Sequence, residues 1–306
     1  STLRNQFLYV STANGESKPV NTGKIRNYGL EFSAGYRWNI NHDWRWQTGF
    51  NFAWNDNRIL ETYKTESGVP YIVEMGTNAF KIKYIEGGRY GDIYVNSFAR
   101  DENGHIKING AGDYENAVPV MESGKYETYV GNTTSPVTLG WNNTFSWKNF
   151  NLYFLIDGRI GGKVMSLTEL DLFGLSERSA HDRLKGERVT QNGKEYVLKE
   201  LPDGSGNKVP VENYYTTIGA YPMEDHVYNA TNLRMRDISL SYNFSNLLGK
   251  NTGLTAQFSI KNAFFIYKDS PIDPDISVSA ANGYSGIDCY SLPTTRSYAL
   301  TLKFNF

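Results

Sequence analysis

The sequence lacks several features that would point to other kinds of protein. Cys289 is the single cysteine among 306 residues, which excludes an internal disulfide and any metal site built from several cysteines. The four histidines show no metal-ligand spacing, so we predict no metal and no other cofactor. No apolar run approaches the roughly 18 residues of a transmembrane helix. A formal net charge of -1 provides no attractive field, so nucleic acid is not a predicted partner.

Aromatic residues and glycine are plentiful. The chain has 22 Tyr, 16 Phe and 6 Trp together with 29 Gly, a composition that favours strands and turns over helices. A mean hydropathy of -0.50 is typical of soluble proteins. Membrane-spanning strands also give low averages, because apolar residues alternate in them with polar ones. The chain opens in a strand-like pattern without a signal peptide, so we expect a fragment or a mature portion.

Period-two alternation organises most of the sequence. It predicts a hairpin over 29–55, a second over 137–156, a third over 238–260, and a final strand up to residue 306. With an opening strand near Leu3 to Val10, we predict about eight strands. The apolar positions are Leu30, Phe32, Ala34, Tyr36, Trp38, Ile40, Trp44, Trp46, Thr48, Phe50, Phe52, Trp54, Val137, Leu139, Trp141, Asn143, Phe145, Trp147, Phe150, Leu152, Phe154, Ile156, Ile238, Leu240, Tyr242, Phe244, Leu254, Ala256, Phe258, Ile260, Tyr298, Leu300, Leu302, Phe304 and Phe306.

Charge placement distinguishes between kinds of sheet. None of these apolar positions is charged, although 21% of the chain is charged. A charge on a lipid-facing strand costs about 2–4 kcal/mol at mid-bilayer, so a membrane barrel requires this exclusion. The core of a soluble β-sandwich excludes charges as well. The opposite positions carry the charges, namely Glu31, Arg37, Arg45, Asp157, Asp237, Lys261 and Lys303.

Strand and loop lengths favour the membrane barrel. The predicted strands have about 10–12 residues, which matches the 9–11 that cross a bilayer and exceeds the usual globular length. Short turns alternate with connections of roughly seventy residues, as periplasmic turns and extracellular loops do in outer-membrane barrels. Aromatic residues at the short-turn ends are expected to form an interfacial girdle. The girdle candidates are Trp38, Trp44, Trp46, Trp147, Phe150 and Phe244.

We find no constellation of residues that indicates an enzyme. The Glu86 to Gly91 stretch lacks the lysine and hydroxyl of a phosphate loop and is predicted to be a sharp turn. The Asp101 to Gly104 stretch has no following bidentate glutamate for calcium and is predicted to be a hairpin turn. A short helix is predicted from a Ser176 cap to Leu184.

Several segments together resemble the C-terminal third of SusC-like, RagA-like TonB-dependent transporters. The departures are small: Asn262-Ala263 stands where such proteins often have Asn-Leu, and Asp275 where they often have Glu. The resemblance covers almost the whole chain, and its order and spacing make it specific. The matching stretches are Asn21 to Glu31, Gly131-Asn132 leading to Pro136, Asp157 to Val164, Ala230 to Tyr242, Asp273-Pro274-Asp275 and Pro293 to Phe306.

The resemblance implies an outer-membrane importer of oligosaccharides or peptides with a plugged barrel of about 22 strands. Residues 1–306 would be the C-terminal portion of that barrel, without the plug. The implied partners are the remainder of the barrel and plug, outer-membrane lipid, a SusD-like lipoprotein lid and TonB-ExbB-ExbD. The final strand would carry the assembly signal, formed by Tyr298, Leu300, Leu302, Phe304 and Phe306.

Three long loops are expected to contact the lid and enclose the ligand: Leu60 to Ser135, Gly161 to Thr231 and Tyr267 to Thr295. Loop packing explains most of their aromatic residues equally well. Two alternatives stay open, a secreted β-sandwich adhesin and a barrel enzyme in which His181 or Asp182 would be needed. The candidates for ligand or lid contact are Tyr84, Arg89, Tyr90, Tyr214, Tyr215, Asp273, Asp275, Tyr284 and Asp288.

Overall fold

The computed structural model describes residues 7–11, 17–21, 23–64, 67–70, 72–122, 125–216, 223–245, 252–276 and 286–305. Strands dominate these residues, and the helices among them are short. No helix in these ranges is long and apolar enough to cross a membrane. The all-β class expected from the alternating pattern is therefore confirmed.

The strands and helices follow one another along the chain in blocks. The first block contains β1 (Phe7–Ser11), β2 (Ser17–Asn21), β3 (Gly23–Asn39) and β4 (Trp44–Thr62). A first long loop contains β5 (Val73–Gly76), β6 (Phe80–Tyr84), β7 (Asp92–Val95), β8 (Ile108–Asn109), β9 (Val118–Pro119) and β10 (Thr128–Asn132). The hairpin β11 (Val137–Trp147) and β12 (Phe150–Ile160) comes next.

Among the described residues, the helices lie in the second long loop. It comprises β13 (Lys163–Ser166), α1 (Leu167–Asp171), a 3-10 helix (Phe173–Leu175), α2 (Glu177–Lys185), β14 (Glu187–Gln191), β15 (Lys194–Glu200), β16 (Lys208–Pro210), α3 (Val211–Thr216), a second 3-10 helix (Met223–His226) and β17 (Val227–Asn229). The chain continues with β18 (Asn232–Ser245) and β19 (Gly253–Lys268). The third long loop contains β20 (Ile287–Asp288), and the last strand is β21 (Ser297–Asn305).

Seven long strands form one antiparallel sheet, which we call the wall. Its order is β21-β19-β18-β12-β11-β4-β3. Three pairs of neighbouring strands are joined by short turns, and the other three pairs are joined by the long loops. The predicted hairpins are present: Leu30 pairs with Trp54, Phe145 with Leu152, and Leu240 with Phe258. One end of the wall carries the short turns and the other the long loops.

The eighth expected strand lies differently. Within the described residues, β1 pairs with β2 in a separate two-stranded sheet and has no partner in the wall. β2 ends two residues before β3 begins. The remainder of the predicted strand, residues 3–6, falls outside the described residues. The described wall accordingly has seven strands.

The two faces of the wall differ as the alternation predicts. The apolar face is open: Leu30 is 61% exposed, Tyr36 62% and Leu300 71%. The opposite face carries polar side chains that bond to one another across strands. For example, the Ser33 hydroxyl donates to Asn51 at 2.7 Å, and the Thr255 hydroxyl donates to Asn243 at 2.8 Å. In the described part of the chain no second sheet covers the apolar face, in contrast to a sandwich.

The buried core lies in the long loops. One cluster joins the three loops through Ile82, Ile93, Met165, Met223 and Ile287. A second cluster joins the first and second loops, and its buried members are Phe98, Ile106, Ala117, Phe173, Leu201, Val209, Val211, Tyr214 and Tyr215. The loops are thus folded against one another, because their scattered apolar residues meet only in three dimensions.

Smaller predictions within the loops are also confirmed. Asp101 forms a turn in which its carboxylate accepts from the backbone N–H groups of Asn103 and His105, both at 2.9 Å. Gly87 and Gly91 have φ of +81° and +90°, which gives the sharp turn predicted at this glycine-rich stretch. α2 begins at the predicted Ser176 cap.

Candidate functional site on the polar face of the wall

Two bulges in β18 and β19 place arginines on the polar face near the long-loop end. The register shifts between Leu233 and Arg234 and again between Met235 and Asp237. Arg234 lies opposite Asp157 of β12. Arg236 falls within the second shift and is the extra residue of that bulge. Bulges of this kind redirect side chains, and here they bring two guanidinium groups onto one small area.

Arg234 is buried to 1% exposure and is surrounded by acceptors from the third long loop. Its Nη2 lies 2.7 Å from Asp273 Oδ1, and its Nη1 lies 3.2 Å from Asp275 Oδ2. The same Nη1 donates to the Thr294 hydroxyl at 2.9 Å. The guanidinium carbon stands 3.8 Å from the centre of the Phe265 ring, a cation–π contact.

Arg236 joins the same loop to the wall. Its Nε lies 2.7 Å from Asp157 Oδ2, and its Nη2 lies 2.8 Å from Asp275 Oδ2. Its Nη1 donates to Asn262 Oδ1 at 3.0 Å. Arg159 adds a contact of 3.3 Å to the other oxygen of Asp275. The two predicted carboxylates, Asp273 and Asp275, are therefore engaged by arginines of the wall, which limits their availability to a ligand.

Hydrogen bonds hold Asp273 in its charged form. Burial alone would raise the pKa of its carboxyl, but the Thr294 hydroxyl, the Asp275 backbone N–H and the Arg234 charge together lower that pKa. The backbone N–H of Asp275 donates to Asp273 at 3.0 Å. This carboxylate stays ionised well below neutral pH.

A cavity of about 550 Å³ lies between the wall and the third long loop. Phe264, Phe265 and Lys268 line it from β19, and Asp273, Asp288 and Arg296 line it from the loop. It is the space nearest to the predicted acidic candidates. Asp288 is only 5% exposed and accepts from the Ser166 hydroxyl at 2.8 Å, which ties the loop to the second long loop.

The first-loop candidates lie together beside β4. The rings of Tyr84 and Tyr90 stack with centroids 4.8 Å apart. The Arg89 Nε lies 2.6 Å from Asp56 Oδ1, and the Tyr90 backbone N–H donates to Asn57 at 2.6 Å. All three predicted side chains are half-buried, so each keeps an accessible surface.

The second-loop pair is placed differently from our expectation. Tyr214 and Tyr215 are 0% and 5% exposed, packed around Phe173 in the second core cluster. Burial raises the pKa of both phenols, and their hydroxyls donate to Asp225 and Asp182. Since neither ring reaches the surface, the structure assigns these residues to loop packing in place of ligand contact. Tyr284 lies outside the described residues.

Asp182 is a structural hub. Its Oδ2 accepts from Lys199 Nζ at 2.7 Å and from the Tyr215 hydroxyl at 2.6 Å. His181 Nδ1 lies 3.7 Å from the other carboxylate oxygen. These contacts join α2 to β15 and α3.

The structure brings the girdle candidates together at the short-turn end. Trp44 stacks on Trp147 at 5.6 Å, and Trp147 stacks on Phe150 at 6.0 Å. Tyr242 continues the row, with ring centroids 4.5 Å from both Phe150 and Phe244. Trp38 faces Trp46 across β3 and β4. The result is one continuous aromatic row over several strands.

The four described members of the predicted assembly signal lie on β21. They occupy the apolar face, with Tyr298 paired to Ile260, Leu300 to Phe258 and Leu302 to Ala256. Phe304 pairs with Leu254, whereas Phe306 falls outside the described residues. The strand therefore carries an apolar row at the outer strand of the described wall.

Sequence reasoning missed the two arginines. Arg234 and Arg236 stood in a segment that resembled known transporters, but the alternation gave no reason to single them out. Two arginines two positions apart near the start of a strand whose one other charged residue is Asp237 were the available signal. The bulge that aims them could not be inferred from periodicity.

Comparisons with known proteins fit this architecture. The chain is 23% identical over 311 residues to TonB-dependent receptor P3 of Formosa agariphila, which covers 95% of this chain and 30% of that receptor. It is 24% identical over 300 residues to TonB-dependent receptor SusC of Bacteroides thetaiotaomicron, covering 94% of this chain and 27% of the relative. The chain resembles part of a SusC-like TonB-dependent transporter. No protein-family profile matches the chain.

Solved structures share the fold of this chain over part of their length. The RagAB peptide importer in its open-open state superposes with a TM-score of 0.63 at 19% identity, covering 98% of this chain and 31% of that one. A second RagAB peptide transporter structure gives 0.61 at 18% identity and covers 96% of this chain. At these identities the likeness shows the fold, which is a section of barrel wall. The chain spans less than a third of the length of each of these relatives.

Proposed function

We propose that this chain forms part of the wall of an outer-membrane barrel that imports a large nutrient. The observation that carries the proposal is the open apolar face of seven long strands, backed by a hydrogen-bonded polar face. Lipid covers such an apolar face in membrane barrels, and water fills the lumen on the other side. The similarity to TonB-dependent receptors supports import as the activity.

The wall needs additional strands to be stable in a membrane. Each outer strand of the described sheet, β3 and β21, is paired on one side. Unpaired backbone groups find no partner in lipid, so only closed barrels cross it. We propose that residues 1–306 are the C-terminal portion of a larger barrel, completed by its remaining strands and a plug. The apolar row on β21 would then serve as the assembly signal.

The proposed partners follow from the same reading. A SusD-like lipoprotein would cover the folded long loops, and TonB-ExbB-ExbD would supply energy through the plug. The ligand would be an oligosaccharide or a peptide, enclosed between loops and lid. Tyr84, Arg89 and Tyr90 remain accessible enough to contact ligand or lid, and Tyr284 and Asp288 stay proposed contacts in the third loop.

The β-sandwich adhesin is less well supported. A sandwich would pack its apolar face against a second sheet, whereas here that face is open and the core lies in the loops. An enzymatic role for the barrel is not favoured either, since the named relatives are receptors.

Fractionation of the native host tests the proposal. The chain would be tagged at its genomic locus, extracted with detergent from separated membranes, and analysed with its co-purifying proteins by mass spectrometry. We expect it in the outer membrane together with a plug-bearing polypeptide and a lipoprotein. Recovery as a soluble, partner-free protein would contradict the barrel and favour the adhesin.

A further inference from the structure

The third long loop is attached to the wall by an unusual concentration of charge. Two arginines of β18 meet two carboxylates of the loop, Asp273 and Asp275, within 2.7 to 3.2 Å. Asp157 Oδ2 of β12 lies 2.7 Å from Arg236 Nε and provides a further carboxylate for this arginine. The arrangement joins two wall strands to one loop through groups that are largely removed from water.

Buried ion pairs contribute little net stability compared with apolar packing, because desolvation offsets the attraction. Breaking one by removing a single partner is nevertheless strongly destabilising, because the other charge stays buried and unpaired. A buried network of this kind therefore permits one arrangement of the loop and penalises the others. Its effect is to fix the position of the loop relative to the wall.

Further bonds reinforce the same attachment from both ends of the loop. Asn262 Nδ2 donates to the Thr295 backbone carbonyl at 3.1 Å, and Thr294 bonds through its hydroxyl to both Arg234 and Asp273. Elsewhere in the loop, the Gly286 carbonyl accepts from the Met165 backbone N–H at 2.8 Å. The described parts of the loop are thus bonded to β18, β19 and β13.

We propose that Arg234 and Arg236 act as a charge clamp that holds the third long loop as a fixed strap across the polar face. The strap comprises the described residues of this loop, 269–276 and 286–296. Wall and strap move as one unit, and the clamp sets how far the strap narrows the space in front of the wall. Its bearing on passage through a pore rests on the proposed function, whereas the clamp itself does not.

The two arginines are positioning residues in this account. Their guanidinium groups are bonded to carboxylates of the strap, so their substitution is expected to change the order of the strap first. Wall strands that lie apart from the clamp, such as β11, keep their pairing. This separation provides the readout, because a general loss of folding would affect both regions together.

Hydrogen–deuterium exchange on the full-length transporter in detergent tests the clamp. The main variant is the strap-side double substitution Asp273→Asn with Asp275→Asn, which leaves every wall residue in place. Arg234→Met removes the wall side of the clamp. Arg188→Met is the matched control, because Arg188 forms an exposed pair with Glu195 at 2.6 Å elsewhere in the loops.

We expect the strap-side variant to speed exchange in strap peptides by about tenfold or more, since buried charges lose their partners. Peptides of β4 and β11 should be unchanged, and Arg188→Met should leave the strap as in the native protein. Unchanged strap exchange in the strap-side variant, or an equal rise in β4 and β11, would overturn the proposal. If Arg234→Met does not fold, the strap-side variant still decides. Neither import nor ligand is needed, so a failure of the proposed function would leave this result standing.

Discussion

At the scale of single residues, the apolar face contains a polar group that the structure hides. Asn143 lies among apolar neighbours of β11, is 0% exposed, and accepts from the Trp46 indole at 3.0 Å. The Trp141 indole in turn donates to the Thr48 hydroxyl at 2.9 Å. Because lipid offers no hydrogen bonds, each indole N–H on this face needs an acceptor within the protein, and Asn143 Oδ1 and the Thr48 hydroxyl provide these acceptors.

Replacing one of these indoles should therefore cost stability. Trp46→Phe is expected to lower the free energy of unfolding by about 1–3 kcal/mol, the cost of an unsatisfied buried polar group. Adding Asn143→Val should recover most of the loss, because both partners are then apolar. Urea unfolding in detergent measures both changes. Trp44→Phe is the control, since it keeps its ring contact with Trp147. An equal loss in Trp46→Phe and Trp44→Phe would contradict the role given to the indole.

The Asp273 carboxylate makes the strap sensitive to acid. Its pKa is lowered in the folded protein, so its contribution to stability is present above the ordinary aspartate pKa of about 4 and is lost as pH falls through the lowered value. Pepsin cleavage within the strap should rise as pH falls from about 4 to 2. In Asp273→Asn this part of the pH dependence should disappear. A native strap that is cleaved at the same rate throughout that range would contradict it.

At the scale of elements, α2 depends on its cap. The Ser176 side chain accepts from the Ser179 backbone N–H at 3.2 Å, and Arg183 in the last turn bonds to Glu212 of α3 at 2.7 Å. The first bond satisfies a free helix donor, and the second fixes the helix to its neighbour.

Loss of the cap should loosen α2 locally. Ser176→Ala is expected to destabilise the helix by about 1 kcal/mol, whereas Ser176→Asp keeps an acceptor at that position and should change little. Hydrogen exchange of peptides covering 177–185 measures the effect. If the alanine and aspartate variants exchanged alike, the cap would not be what holds the helix.

The sequence predicted the wall well and the loops poorly, for physical reasons. Alternation reports which face of a strand is apolar, and the short turns fix register, so pairs such as Trp147 with Phe150 were foreseeable. Loop cores depend on contacts between residues far apart in sequence, such as Ile82 with Met165. For that reason Tyr214 and Tyr215 were predicted to contact ligand or lid, whereas the structure buries both side chains. The Arg234 bulge breaks the alternation on which the prediction relied.

At the scale of the whole molecule, the wall divides two environments. One face presents a continuous apolar surface, and the other presents hydrogen-bonded polar groups with the folded loops at one end. Whether the protein tolerates a charged substitution in a wall strand should therefore depend on which face carries the new side chain. Adjacent residues of one strand allow this to be tested with the same substitution at two positions.

Leu240 and Ser241 of β18 form such a pair. Leu240 is 50% exposed on the apolar face, and Ser241 points to the polar face. Leu240→Arg should lower the stability of the assembled barrel by about 2–4 kcal/mol if it lies near the bilayer midplane, and Ser241→Arg should be close to neutral. The folded fraction in outer membranes, read from gel mobility with and without heating, reports the difference. Equal tolerance of both arginines would contradict a lipid-facing surface.

The measurement that tests the central claim most directly is a cysteine scan of β3 in the full-length transporter within native outer membranes. Single cysteines at positions 30 to 37 would be placed in a background lacking other cysteines, Cys289 included. Each would be probed with a water-soluble maleimide and with a lipid-borne thiol reagent. We predict strict alternation: lipid labelling at the even positions and aqueous labelling at the odd ones. Aqueous labelling at every position, or an absence of alternation, would contradict a membrane-spanning wall.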